Sequence, residues 1–218
     1  VSTLRRPSGR GAGAGPGWEG AALRWLAYPA NLAFAGIAGF VIALGVVTWL
    51  CAAVALVRAL QRWLEDDLDT VFTTTFRELA ATWRRTLPLS VAATVVVALV
   101  VADVVFLATR SSPWAVLLLA ALVPLAALGA LVVAHLPAAA ALARDGSARQ
   151  WLRLALGLVV TAPARSAGVL VVLVTWVALC TVLPTLVPVL GLSVPGLAAL
   201  VAARRTVERH GSLLGRPA

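Results

Sequence analysis

The chain has no lysine, no methionine, a single tyrosine, two cysteines and little charge of either sign, with only 12% of its 218 residues ionisable. A water-soluble domain carries about 25% charged residues. The shortage of charge, with 61% hydrophobic residues and a mean hydropathy of +0.96, excludes a soluble globular domain. It also argues against a nucleic-acid binder, although the net charge is +9. Every basic residue is arginine, and the missing Lys and Met beside abundant Ala, Gly and Val match the codon bias of a GC-rich bacterial genome. Cys51 and Cys180 both fall inside long apolar runs, and His135 and His210 supply too few further ligands for a metal site. Both cysteines read as small apolar side chains packed between helices. No cofactor is expected.

The composition is that of an integral membrane protein, and charge divides the chain into blocks. Residues 1–22 form an Arg/Gly-rich segment with too little apolar surface to repay its ordering entropy, expected to be a disordered cytoplasmic tail. Residues 23–208 read as one membrane-embedded helical domain, and 209–218 as a short C-terminal tail. Trp25–Val57 and Ser111–Ala143 are charge-free runs of 33 residues each, and Ser166–Ala203 is a third of 38. Thr86–Thr109 is interrupted only by Asp103. A single crossing needs about 20 residues. The longest runs are therefore too long for one span and short for two.

Arginine placement argues for hairpins. Clusters lie before Trp25, between Arg58 and Arg85, between Arg144 and Arg165, and after Arg204, whereas the opposite turns hold only Arg110. The positive-inside rule puts all four clusters in the cytoplasm. The expectation is an all-α, polytopic bundle of six apolar helices in three hairpins, with both termini cytoplasmic in the inner (plasma) membrane. The helices are Trp25–Leu44, Thr48–Leu64, Leu87–Thr109, Pro113–Leu142, Ser166–Val187 and Pro195–Arg205. The second and sixth are short, so four full spans with two half-helices is the alternative. The last bend is expected among Pro184, Pro188, Gly191, Pro195 and Gly196, where helix should not persist. Trp25, Trp63, Trp83 and Trp151 would form an inner aromatic belt, with Trp49 and Trp114 at the outer turns.

Two segments read as cytoplasmic interfacial helices. From Asp69 to Arg85, Phe72, Phe76, Leu79 and Trp83 recur at steps of four, three and four, one apolar stripe on a helix. Glu65, Asp66, Asp67 and Asp69 precede it, suited to capping the positive end of the dipole. The stripe is the candidate partner-contact surface. Gln150–Ala162 is the second such helix. Chemistry is sparse. Asp103 and His135 are the embedded ionisable candidates. Asp103 reads either as a ligand for a cation, proton or polar solute, or as a carboxylate reaching the outer interface or a neighbouring helix. His135 reads either as a proton relay or as a neutral ring bonded to a carbonyl freed by Pro137. No nucleophile–base set, ligand spacing or nucleotide-binding motif accompanies them, so no enzymatic activity is expected.

Asn31, Leu44-Gly45-Val46-Val47-Thr48, the Ala-rich stretch Ala52-Ala53-Val54-Ala55, the acidic patch Glu65-Asp66-Asp67-Leu68-Asp69, Phe72 with Phe76-Arg77, and Arg84-Arg85 form an ordered series. In this the chain resembles the YesL-like family of bacterial membrane proteins (domain of unknown function 624), over roughly residues 23–106. Gly45 stands where the family has proline and Leu50 where it has glycine, which implies a softer first bend. The resemblance implies a membrane protein without assigned activity, often encoded beside sugar ABC transporters. Accessory or regulatory service to such a carbohydrate transporter is the leading expectation. The alternatives are a permease-like transport subunit for a small solute, and a structural membrane protein without a ligand. The lipid bilayer and a sugar ABC transporter are the implied partners, with no nucleic acid.

Overall fold

The computed structural model of the chain describes residues 18–66 and 71–209. All of its regular secondary structure among these residues is helical: α1 (Trp18–Ala43), α2 (Trp49–Asp66), α3 (Val71–Ala108), α4 (Pro113–Leu142), α5 (Ala148–Thr161), α6 (Pro163–Val182), α7 (Leu186–Leu190) and α8 (Ser193–Arg209). Helix α1 starts at Trp18, inside the segment expected as tail, and α8 reaches Arg209. The expected acidic cap residues Asp67 and Asp69 lie outside the described residues. Glu65 and Asp66 close α2 rather than open α3.

The α1–α2 connection is residues 44–48, where Val46 takes φ 44°, a left-handed conformation disfavoured for a β-branched residue. The Thr48 hydroxyl steadies this turn by donating to the Ile42 carbonyl. Helix α2 runs back along α1: the Tyr28 and Trp63 rings meet at 4.9 Å, and Gly39 lies beside Leu56. Nearly all of α2 is buried, from Leu50 to Trp63, and α1, α3, α4 and α8 all pack on it. Such close association relies on small residues, as helix packing in lipid generally does. A Cβ on Gly36 would stand 1.7 Å from the Val189 carbonyl oxygen, so α1 and α7 touch backbone to backbone there.

Three features depart from the expectations. The amphipathic segment and the third apolar helix are one continuous helix, α3, passing through Pro88. Hydroxyls support the backbone just before the proline: Thr82 donates to the Glu78 carbonyl, and Thr86 to those of Thr82 and Trp83. Second, the chain breaks at 183–185, beside Pro184 as expected, and steps at 191–192, but helix resumes through Pro188 and Pro195. Pro188 and Pro195 are each the third residue of their helices, in a first turn whose N–H groups have no intrahelical acceptor. The sixth apolar helix accordingly starts earlier than expected: Leu186–Arg209 is 24 residues long and apolar enough to cross a membrane, its charge-free part ending at Ala203. Third, Trp63 and Trp151 are buried in the bundle rather than arrayed in a belt, and Trp151 donates to the Ala143 carbonyl at 2.8 Å.

Four helical runs are long and apolar enough to cross a bilayer: α3, α4, α6 and Leu186–Arg209. All four contribute to one core cluster, α3 through Val71, α4 through Leu136 and residues 138–141, α6 through Val169 and α8 through Ala199, Leu200 and Ala203. Most buried residues come from α2, the first half of α3, the last third of α4, α5 and α8, with Ala35 and Ala38 from α1 and Ser166 and Val169 from α6. Beyond Ser90 and before Leu131, α3 and α4 continue as a two-helix arm exposed over most of its surface. Each leg has about 18 residues, or about 27 Å of helix, close to the hydrocarbon thickness of a bilayer. Ser112 opens α4 by accepting from the Ala115 N–H, with Pro113 at the first helical position. Helix α5 begins at a capping box of Ser147 and Gln150 and lays Trp151, Leu154, Ala155 and Leu158 inward, chiefly onto α4.

Candidate functional site

The inward face of α3 is polar. Thr74, Thr75, Glu78, Thr82, Thr86 and Ser90 are its buried residues besides Val71, while Phe72, Phe76 and Trp83 point outward and Leu79 is half-buried. The outward face is mixed, with Arg77, Arg84 and Arg85 exposed beside the aromatic rings. The inward polar groups find their partners between helices.

Those partners lie on α2. Glu78 is 2% exposed and receives Arg58 Nε at 2.7 Å on one oxygen and Arg62 at 2.7 Å on the other. The Arg58 guanidinium also donates to the Ala140 and Arg144 carbonyls, both at 3.1 Å. It thereby satisfies orphan carbonyls at the negative end of the α4 dipole. One turn further along α2, Glu65 accepts from Gln61 at 2.9 Å and from Arg144 and Arg204 at 2.8 Å each. The network therefore joins α2, α3, the end of α4 and α8. Two buried polar atoms, Arg62 Nε and Gln61 Oε1, have no hydrogen-bond partner among the described residues.

None of these residues was singled out from sequence as a site. The available signal was local: Arg58, Gln61, Arg62 and Glu65 recur at three- and four-residue steps, one polar stripe on an otherwise apolar helix. The positions that were singled out separate into three places. Phe76, Leu79, Trp83 and Thr48 come together, lining with Ile42, Cys51, Ala80 and Leu87 an apolar groove of about 270 Å³ where the α1–α2 turn meets α3. Phe72 adjoins Phe76 edge to face at 5.2 Å, and Arg77 and Gly45 are exposed. Asn31 is half-buried on α1.

Asp103 stands exposed on the outer arm and makes no hydrogen bond or ion pair among the described residues. Arg110, near the arm's tip, stacks over Phe106 at 4.7 Å instead. His135 is buried in the lower part of α4, and its Nδ1 lies 2.9 Å from the Leu131 carbonyl. That carbonyl belongs to the residue four before the histidine; the one that Pro137 frees is Val133's. Asp103 and His135 are thus not neighbours and form no joint site. Cys51 is buried with its Sγ 3.3 Å from the Thr86 hydroxyl oxygen, while Cys180 lines a second apolar pocket of about 450 Å³ with Phe40, Trp176 and Val187.

The chain matches no protein-family model, no curated protein and no solved structure.

Proposed function

We propose that this is a non-catalytic polytopic protein of the bacterial inner membrane, serving as an accessory or regulatory subunit of a carbohydrate ABC transport system. The observation that carries this reading is the outward aromatic stripe on α3. Phe76 is 36% and Trp83 45% exposed, and both border a groove that the protein's own helices leave open. The charges of Arg58, Arg62, Glu65, Glu78, Arg144 and Arg204, by contrast, are engaged with one another across α2, α3, α8 and the turn after α4. Large aromatic side chains flanking an open apolar groove suit lateral packing by a helix of another membrane protein. The class of partner comes from the family resemblance. In this reading the arginine-rich end faces the cytoplasm, α3, α4, α6 and α7–α8 cross the bilayer, and both termini are cytoplasmic.

The test is the double substitution Phe76→Ala/Trp83→Ala. Because both rings are exposed, the variant should reach the membrane at normal abundance and melt close to the wild type. It should lose co-purification with the permease and ATPase subunits of the transporter. Retained co-purification would overturn the proposal, and a variant that fails to accumulate would show that the stripe supports the protein's own fold.

A further inference from the structure

The charge network at the arginine-rich end is unbalanced. Among the described ion pairs, four guanidiniums, those of Arg58, Arg62, Arg144 and Arg204, face two carboxylates, Glu65 and Glu78. The excess within these pairs is not evenly placed. Glu78 is held between Arg58 and Arg62, and Arg58 is further engaged by the α4 carbonyls. Arg144 and Arg204, from α4's end and α8, converge on the single carboxylate of Glu65, each through one nitrogen. Their side chains are 33% and 29% exposed, so the remaining N–H donors reach the surface. Helix α5 starts at Ala148, four residues after Arg144, and adds the positive end of its dipole. Exposed Asp145, in the same turn, and exposed Glu208, one turn after Arg204 on α8, offset part of this field, and exposed Arg149 and Arg205 add to it.

We infer that Arg144 and Arg204 form a phosphate-group site, in which an incoming phosphate displaces the internal anion Glu65. Paired guanidinium forks match the oxygens of a phosphate, as a phosphodiester of an anionic lipid or as free phosphate. A basic pocket between helices at the inner end of a membrane bundle is a usual place for such a head group.

The purified full-length protein in detergent is titrated with phosphatidylglycerol and, separately, with phosphatidylcholine, and bound lipid is counted by native mass spectrometry. The wild type should retain phosphatidylglycerol at concentrations where phosphatidylcholine is lost. Arg144→Gln/Arg204→Gln should weaken retention by about 10- to 30-fold. Glu65→Gln removes the competing carboxylate and should tighten it, a gain that a misfolded variant cannot produce. Displacement by excess inorganic phosphate would assign the site to free phosphate, and resistance to it would assign it to the lipid head group. Equal retention of both lipids by the wild type, or unchanged retention in the double variant, would overturn the inference.

Discussion

Glu78→Gln is the most informative single substitution, because the structure gives its consequence a size. The carboxylate is 2% exposed and is the counter-charge of Arg58, whose side chain is 8% exposed. The amide removes the negative charge and leaves Arg58 with its two carbonyl acceptors but no buried anion. Stranding a buried charge in this way costs about 3–5 kcal/mol. Arg62→Gln removes the other partner of Glu78, but Arg62 is 32% exposed and water screens it, so about 1 kcal/mol or less is expected. For a chain of this length, about 2–4 °C of melting temperature accompanies each kcal/mol. Glu78→Gln should therefore lower the melting temperature in detergent by about 6–20 °C, and Arg62→Gln by about 4 °C or less. The eight tryptophans provide an intrinsic fluorescence signal for the measurement. Equal small shifts in the two variants would refute the idea that Glu78 anchors the bundle.

Two further substitutions probe packing and the exposed arm. Gly36→Ala places a methyl group 1.7 Å from the Val189 oxygen and should destabilise by about 1–3 kcal/mol or more by prising α1 from α7. Gly168→Ala, with nothing within 4 Å, should cost nothing in the same melting assay, and similar behaviour of the two would contradict the close approach. Asp103→Asn should leave membrane abundance unchanged on immunoblots, because the side chain is exposed and supports no neighbour. A clear drop in abundance would give the carboxylate a structural role.

Much of the helical architecture was legible because scarce charge marks several boundaries, though not the α1–α2 turn at 44–48 or the breaks at 183–185 and 191–192. Arg110 with Ser111 and Ser112 announces the α3–α4 turn, and Pro113–Leu142 coincides with α4 to the residue. Proline was the first source of error. Its local meaning depends on its place in a helix, and neither Pro88, backed by hydroxyls at Thr82 and Thr86, nor Pro195, in a first turn, acts as a breaker. The second was direction. A stripe of Phe72, Phe76, Leu79 and Trp83 states which residues share a face but not whether lipid or protein lies opposite. The answer depends on Glu78 needing Arg58 and Arg62 from another helix. The Glu65 cluster was hardest to see, since Arg144 and Arg204 approach it from 79 and 139 residues away.

The account stands on a chain that crosses the bilayer with its arginine-rich end inside and the tip of the α3–α4 arm outside. Cysteine accessibility in intact cells tests this directly, starting from a background in which Cys51 and Cys180 are replaced by alanine. Cysteines introduced at Ser111 or Ser112 should react with a membrane-impermeant maleimide added outside, and a cysteine at Asp145 should react only after permeabilisation. Labelling at Asp145 in intact cells, with Ser111 and Ser112 protected, would contradict the orientation on which the proposed function depends.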